Sequence, residues 1–518
     1  MELGTVISTM DSPTTNRFSF VIANASVVRK ARFVQLKTEE GTLLGVVQDI
    51  VRANRYFERA ESVSEYEKNG KKAGAGINSS FSENFPTEEW EFAVAQCAVL
   101  GAYDTNLRRA SFPAAPGAKV HDADLKLLKD FFAFEDSGIH IGKLLVHDLD
   151  VKLNMNKLFQ KHLAILGISG SGKSITSAVM IEELLLRSKE QGRLAAVVFD
   201  AHGEYVSFSD KKHNPEFADK VTVINANKVQ IAAKNLSPGL ISKLLPGISH
   251  TQMRDLAPIL EMMKKEVREG AEAFGLEQIV QRAQASDMKE NVKDALLSWL
   301  FELRNLKIVS EHDSPQLKKI IKPGCLVVFD LSSIVNMQKK QIIVSYISEK
   351  MFALRRKDEL PPYVMIVEEA HNFAPEKAEK KYAISKGVIN TVAREGRKFG
   401  ASLCLISQRP VQLSTTALSQ MNTMLIMKIT NPYDLKHIAE SAEAIDADTQ
   451  NLISSLRVGE GVIIGEAVNY PVFVRVRNRK TKKLSKGDSL EELAKHFEEK
   501  QSLAEAISDA DVNDAFLQ

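Results

Sequence analysis

At 518 residues the chain has room for about two to four domains. Its 44% hydrophobic and 26% charged composition is that of a globular protein, and no stretch approaches the roughly 18 uninterrupted apolar residues of a membrane span, which argues against a membrane role. With 68 basic against 66 acidic residues, net charge +2, any nucleic-acid-binding surface must be local. Met1-Glu2-Leu3-Gly4 opens no signal peptide, and Cys97, Cys325 and Cys404 sit in apolar runs without metal-ligand spacing; the expected setting is the reducing cytoplasm.

In chain order, the first ~110 residues read as short strands with turns between them. The strands are Gly4 to Thr9, Arg17 to Ile22, Arg32 to Thr38, Leu43 to Ile50 and a longer Glu91 to Tyr103, a pattern that predicts a small β-barrel. A polar, Gly/Ser/Lys-rich stretch from Glu61 to Pro86 interrupts them as an insertion or long loop. Pro113-Ala114-Ala115-Pro116-Gly117 then leads into a connection ending near Gln160, and barrel plus connection are assigned to residues 1–150.

From Lys161 strands alternate with helices, which predicts an α/β core with a mainly parallel sheet. The strands Leu163 to Leu166, Leu194 to Phe199, Cys325 to Phe329, Tyr363 to Val367, Ser402 to Ile406 and Met424 to Ile429 are nearly all apolar, as strands covered on both faces must be. The core is divided into residues 151–237 and 309–477 by an all-helical insertion, 238–308. Gly461 to Val476 returns to β character. Residues 478–518 read as a basic linker, Asn478 to Lys483, and a helix opened by the capping-box pattern Ser489-Leu490-Glu491-Glu492, with Leu490, Leu493, Ala494 and Phe497 on one face. That helix docks on its own subunit or braces a neighbour.

The chemistry centres on Gly167-Ile168-Ser169-Gly170-Ser171-Gly172-Lys173-Ser174, a complete G-x-x-x-x-G-K-[ST] between a strand and a helix. The glycines let successive N–H groups face a phosphate at a helix N-terminus. Gly167, Ser169, Gly170, Ser171, Gly172, Lys173, Ser174 and Ile175 would cradle ATP, with Lys173 reaching the β- and γ-phosphates and Ser174 ligating Mg2+. Tyr363-Val364-Met365-Ile366-Val367-Glu368-Glu369 supplies an acidic pair at a strand end: Glu368 on the metal side, Glu369 as general base. Gln408, in Ser407-Gln408-Arg409-Pro410, could sense the γ-phosphate or stand in an ordinary turn. A predicted helix over Ala383 to Phe399 turns Ile384, Val388, Val392 and Phe399 inward and Arg394 and Arg397 outward, either to meet an adjacent subunit's phosphate or as solvated surface charge. Asp200-Ala201-His202-Gly203-Glu204-Tyr205 serves the site or forms a structural turn. His202 and His371 have no metal-ligand spacing and default to core or loop roles.

Taken in order, the P-loop with its Lys161 to Leu166 approach, Asp200 to Tyr205, Glu368-Glu369-Ala370-His371-Asn372-Phe373, Arg394-Glu395-Gly396-Arg397-Lys398-Phe399-Gly400 and Ser407 to Pro410 resemble the motifs of the HerA family, hexameric DNA motors among the HerA-FtsK ATPases. The resemblance spans most of the chain and implies a RecA-like (ASCE) core behind a HAS-like N-terminal barrel. It implies a homohexamer threading double-stranded DNA with a NurA-like nuclease partner, and Arg394 or Arg397, with a slight preference for Arg397, as a finger acting in trans. Lys161 matches a basic position near the subunit interface, and Lys377, Lys380 and Lys381 are either contacts for DNA phosphates or, the more ordinary explanation of any one of them, a solvated charge run. Ala201, where Pro is frequent in the family, and the Glu61 to Pro86 stretch depart from the pattern. A second reading keeps the ring as a regulatory ATPase scaffold for an effector nuclease or NADase in antiviral defence, and a third is a protein-unfolding or secretion ATPase.

Overall fold

A computed structural model describes the chain except residues 9–11, 24, 55–60, 62, 65–90, 105–106, 379–382, 442–444, 483–490, 492–493, 496 and 499–518. Most of the polar stretch from Glu61 to Pro86, both Lys380 and Lys381, and Ser489, Leu490 and Leu493 of the C-terminal pattern lie outside the described residues.

The N-terminal strands are β1 (Glu2–Ile7), β2 (Arg17–Ile22), β3 (Phe33–Thr38), β4 (Gly41–Asn54), β5 (Glu91–Tyr103), β6 (Leu107–Arg108) and β7 (Lys119–Asp122). Their order is β2-β1-β7-β3-β4-β5-β6, and a further β2–β5 pairing closes the ring. Alternation explains the closure: Phe18, Phe20, Val34, Leu36, Leu43, Val47 and Cys97 point into one apolar interior. Phe33, Leu44 and Val46 face the other way and join the core of the rest of the molecule, where the rings of Phe33 and Phe132 meet edge to face at 5.1 Å.

The second sheet comprises β8 (Ile139–Leu144), β9 (Asp150–Leu153), β10 (Leu163–Leu166), β11 (Ala195–Asp200) and β12 (Val221–Asn225). After the short pair β13 (Ile231–Ala232) and β14 (Val309–Ser310) come β15 (Leu326–Asp330), β16 (Tyr363–Val367), β17 (Ala401–Ser407), β18 (Thr423–Met427), β19 (Glu460–Gly465) and β20 (Val472–Val476). The order is β12-β15-β11-β16-β17-β10-β18-β19-β20-β8-β9, parallel as far as β18 and antiparallel beyond. β10, β11, β16, β17 and β18 are buried along their whole length, as their apolar sequences require. Between β13 and β14 the helices Pro238–Leu244, His250–Arg268, Leu276–Gln284 and Glu290–Asn305 form the helical insertion. Leu256, Leu260, Ile279 and Leu300 bury its inner faces.

Two expectations are corrected. The stretch ahead of Gln160 is more than a connection: β8 pairs with β20 and β9 with β8, so a boundary at residue 150 would split this hairpin. Ile139, Ile141 and Leu144 are buried, and a Cβ on Gly142 would lie 2.1 Å from the Arg475 carbonyl oxygen, so the strands pack closely. Residues 478–482 are likewise not a loose linker. Glu182, fully buried on the helix Lys173–Leu186, accepts from Thr481 N (2.8 Å) and pairs with Arg477 (2.9 Å), while Lys482 N donates to Asn214 (2.7 Å). Among the described residues no helix is long and apolar enough to cross a membrane.

Candidate active site

Four adjacent parallel strands, β11, β16, β17 and β10, end side by side, with Leu166 opposite Ser407 and Val367 opposite Leu405. Ligands of open α/β sheets bind outside these carboxyl ends. The ends carry Asp200, the Glu368-Glu369 pair, Gln408 and the P-loop. β17 lies between the P-loop strand and the acidic strand, which puts Gln408 beside both.

In the P-loop Gly170 and Gly172 adopt φ of 74° and 111°, open to glycine without strain. A Cβ on Gly172 would come within 3.0 Å of Met427 Cε and 3.3 Å of Gly459 N. Gly459 N donates to Ser171 O (3.0 Å), so the chain entering β19 braces the loop. Lys173 donates to Ile168 O (2.8 Å) across the cradle. Burial pulls its pKa down, opposed by Glu369, Glu368 and Glu204. Ser169 and Gly170 form the exposed tip; Ser174 is half-buried and Ile175 is exposed on the first turn of the helix.

Asp200 is fully buried and accepts from four successive backbone N–H groups, His202 (3.2 Å), Gly203 (2.7 Å), Glu204 (3.0 Å) and Tyr205 (2.9 Å). This wraps residues 202–205 over the strand end and brings His202 and Tyr205 beside the acidic pair. Tyr205 Oη then lies 3.4 Å from Glu368 Oε1 and 2.5 Å from Ser177 Oγ.

Glu368 is buried, and no donor among the described residues reaches its Oε2. Burial, then the neighbouring charges of Asp200, Glu204 and Glu369, push its pKa well above the usual carboxylate range. A carboxylate in such company needs a proton or a cation. The residues therefore fit Mg2+: Glu368 Oε2 and the Ser174 hydroxyl would hold it from the protein. Among the described residues no three His, Cys, Asp or Glu side chains form a metal cage.

Glu369 sits at φ 48°, ψ 45°, a left-handed conformation that costs a non-glycine residue roughly 1 to 3 kcal/mol. Gln408 Nε2 donates to Glu369 Oε1, His371 Nδ1 stands 3.5 Å from Oε2 and His202 Nε2 3.8 Å from Oε1. Burial, with Arg409 and Lys173 nearby, lowers the His371 pKa against the pull of Glu369. The two histidines assigned by default to core or loop thus flank Glu369. Their signal was position: His371 two residues beyond the glutamate, His202 at a neighbouring strand end.

Arg394 and Arg397 are not brought to this site. They lie at the end of the helix Lys386–Glu395 and in the turn after it, ahead of β17, whereas Gln408 follows β17. The strand's 7 residues span roughly 20 Å at the usual rise. Both arginines are exposed, and neither pairs with a carboxylate among the described residues. Lys161, at the same end of the sheet, is paired with Glu466.

Strand order and site together define a P-loop ATPase with a RecA-like core, an ATP-hydrolysing enzyme. VirB4 of Thermoanaerobacter pseudethanolicus shares the fold at TM-score 0.50 and 16% identity, over 66% of this chain and 97% of that one. Residues 139–351 match the family described as Helicase HerA, central domain. The chain is similar to the DNA double-strand break repair helicase HerA of Pyrococcus furiosus, 27% identical over 89% of this chain and 90% of that protein. The protein of the same name from Saccharolobus solfataricus is 27% identical over 93% of this chain and 94% of its own length. Over most of its length the chain is thus similar to HerA helicases, and its central part matches their family model.

Proposed function

We propose that the protein is an ATP- and Mg2+-dependent translocase that assembles as a homohexamer on double-stranded DNA. In this reading it works in the cytoplasm with a NurA-like nuclease or another effector protein at DNA ends. The observation that carries the ring is the separation of the two halves of the chemistry: P-loop, acidic pair and Gln408 at one end of the sheet, and the exposed arginines at the other. A subunit cannot fold its own Arg397 onto its own γ-phosphate across the sheet; a neighbouring copy can present one. Support for DNA comes from the relatives, which are named as DNA double-strand break repair helicases.

In the proposed reaction Lys173 and the P-loop amides neutralise the β- and γ-phosphates, and Glu369 orients and deprotonates the attacking water. Gln408 contacts the γ-phosphate, and an arginine from the next subunit meets the charge that develops on it. Mg2+, held by Ser174 and Glu368, supplies the remaining charge neutralisation. Phosphate contacts from channel-facing basic residues such as Lys377 would make DNA binding sequence-independent and salt-sensitive.

The test is the ATPase rate with and without linear duplex DNA, alongside the particle mass under nucleotide. Stimulation by duplex DNA in a particle of six copies is expected. A rate indifferent to DNA overturns the translocase, and a monomer at saturating nucleotide overturns the ring.

A further inference from the structure

The hydroxyl of Tyr205 is buried between the helix that follows the P-loop and the strand that ends in Glu368. On one side Ser177 Oγ lies 2.5 Å from Tyr205 Oη and 3.2 Å from the carbonyl oxygens of both Lys173 and Ser174. On the other side Glu368 Oε1 lies 3.4 Å from the same Tyr205 oxygen. Two hydroxyls thus stand in a row between the first turn of the P-loop helix and one oxygen of the carboxylate facing it. The second oxygen, Oε2, is the one that no donor reaches.

The arrangement is costly without a purpose. A phenol buried at 0% exposure must keep its hydrogen bonds, whereas a phenylalanine would fill the same space beside Phe208 with nothing to satisfy. Each hydroxyl has a single proton. When Glu368 is ionised, Tyr205 donates to it and Ser177 donates to Tyr205 at 2.5 Å in preference to either carbonyl at 3.2 Å, so the line points its donors at the carboxylate and leaves Oε2 as the open acceptor.

We propose that Tyr205 is a positioning residue for the metal: with Ser177 it fixes the rotamer of Glu368 and its separation from Ser174, turning Oε2 toward the cation. The inference rests on the Mg2+-dependent reading above. Groups that orient metal ligands in this way typically account for about 10- to 100-fold in metal affinity.

The experiment measures ADP binding to the full chain, once with Mg2+ and once with EDTA. Wild type binds more tightly with Mg2+. Tyr205→Phe keeps the EDTA affinity and loses about tenfold of the Mg2+ enhancement. Ser177→Ala shows a loss of the same kind, and the double variant loses no more than the larger single one, because both cut one line. A Mg2+-responsive wild type beside an equally responsive Tyr205→Phe overturns the positioning role alone, whereas a wild type indifferent to Mg2+ overturns the metal-dependent reading beneath it. If Tyr205→Phe does not fold, Ser177→Ala decides: an undiminished enhancement there overturns the proposal.

Discussion

Glu369 is held in place by its neighbours. Its φ of 48° turns it out of the strand direction, and the Gln408 amide donates to the carboxylate there, with two imidazoles within 3.8 Å. A γ-phosphate would compete for the Gln408 amide and release Oε1 to a water, so the contact between the proposed sensor and the proposed base is one that binding can exchange. Glu369→Gln preserves size and some hydrogen bonding but removes the carboxylate proposed as the base. It is expected to lower the rate of ATP hydrolysis by about 10²- to 10⁴-fold with ADP affinity within twofold of wild type. Steady-state hydrolysis and equilibrium ADP binding check the two halves separately, and a variant that still hydrolyses at the wild-type rate removes Glu369 from the base role. The acidic pair and the P-loop were legible in the sequence because their residues are consecutive and sit at strand ends. The line from Ser177 through Tyr205 to Glu368 was not, since its members are 28 and 163 positions apart and only the sheet order brings them together.

At the scale of elements, two buried histidines act as staples. His162, at φ 68°, immediately precedes β10 and accepts the Leu403 N–H of β17 on Nδ1 (3.0 Å). His147 accepts Phe33 N on Nε2 (3.0 Å), joining the loop between β8 and β9 to the barrel, with Asp122 3.9 Å away. Each must be neutral at the accepting nitrogen, and burial lowers each pKa from 6.5 to about 4. The unfolded chain therefore binds protons below about pH 6.5 that the native one refuses until about pH 4. Stability is complete above that window and falls as pH drops through it, by up to roughly 3 kcal/mol per histidine. His162→Asn keeps an acceptor near the same point, tolerates the left-handed backbone and has no proton to gain. Urea midpoints between pH 7.5 and 4.5 should fall less steeply in this variant than in wild type; equal slopes would remove His162 from the acid response. The same scale marks what sequence patterning hides. β10, β16 and β17 announce themselves as continuous apolar runs. β8 and β9 are short and carry His140, Lys143, Asp150 and Lys152, and only their pairing with β20, more than 300 positions on, makes them part of the sheet.

At the scale of the whole molecule, the helix Lys386–Glu395 and β17 form a lever between the two ends of the sheet, with the arginines at one end and Gln408 at the other. His162, the residue before β10, is tied to β17 through the Leu403 N–H. If each hydrolysis site takes Glu369 from one subunit and an arginine from the next, Arg397→Ala and Glu369→Gln fail on opposite sides of the same interface. Arg397→Ala alone is then expected to lose about 10³-fold or more of its ATPase rate, and Glu369→Gln about 10²- to 10⁴-fold, each with ADP affinity retained. Mixed in equal amounts and reassembled, they complement. An interface is whole when its P-loop side comes from Arg397→Ala and its arginine side from Glu369→Gln, which random assembly in a head-to-tail ring produces at about one interface in four. Up to a quarter of the wild-type rate should return if sites fire independently, and less if they fire in order. A finger acting within its own subunit can never be restored by mixing, because no chain in the mixture carries both groups. Repeating the experiment with Arg394→Ala decides between the arginines: the one whose loss is complemented serves the neighbouring site, and one whose loss leaves the rate unchanged is surface charge.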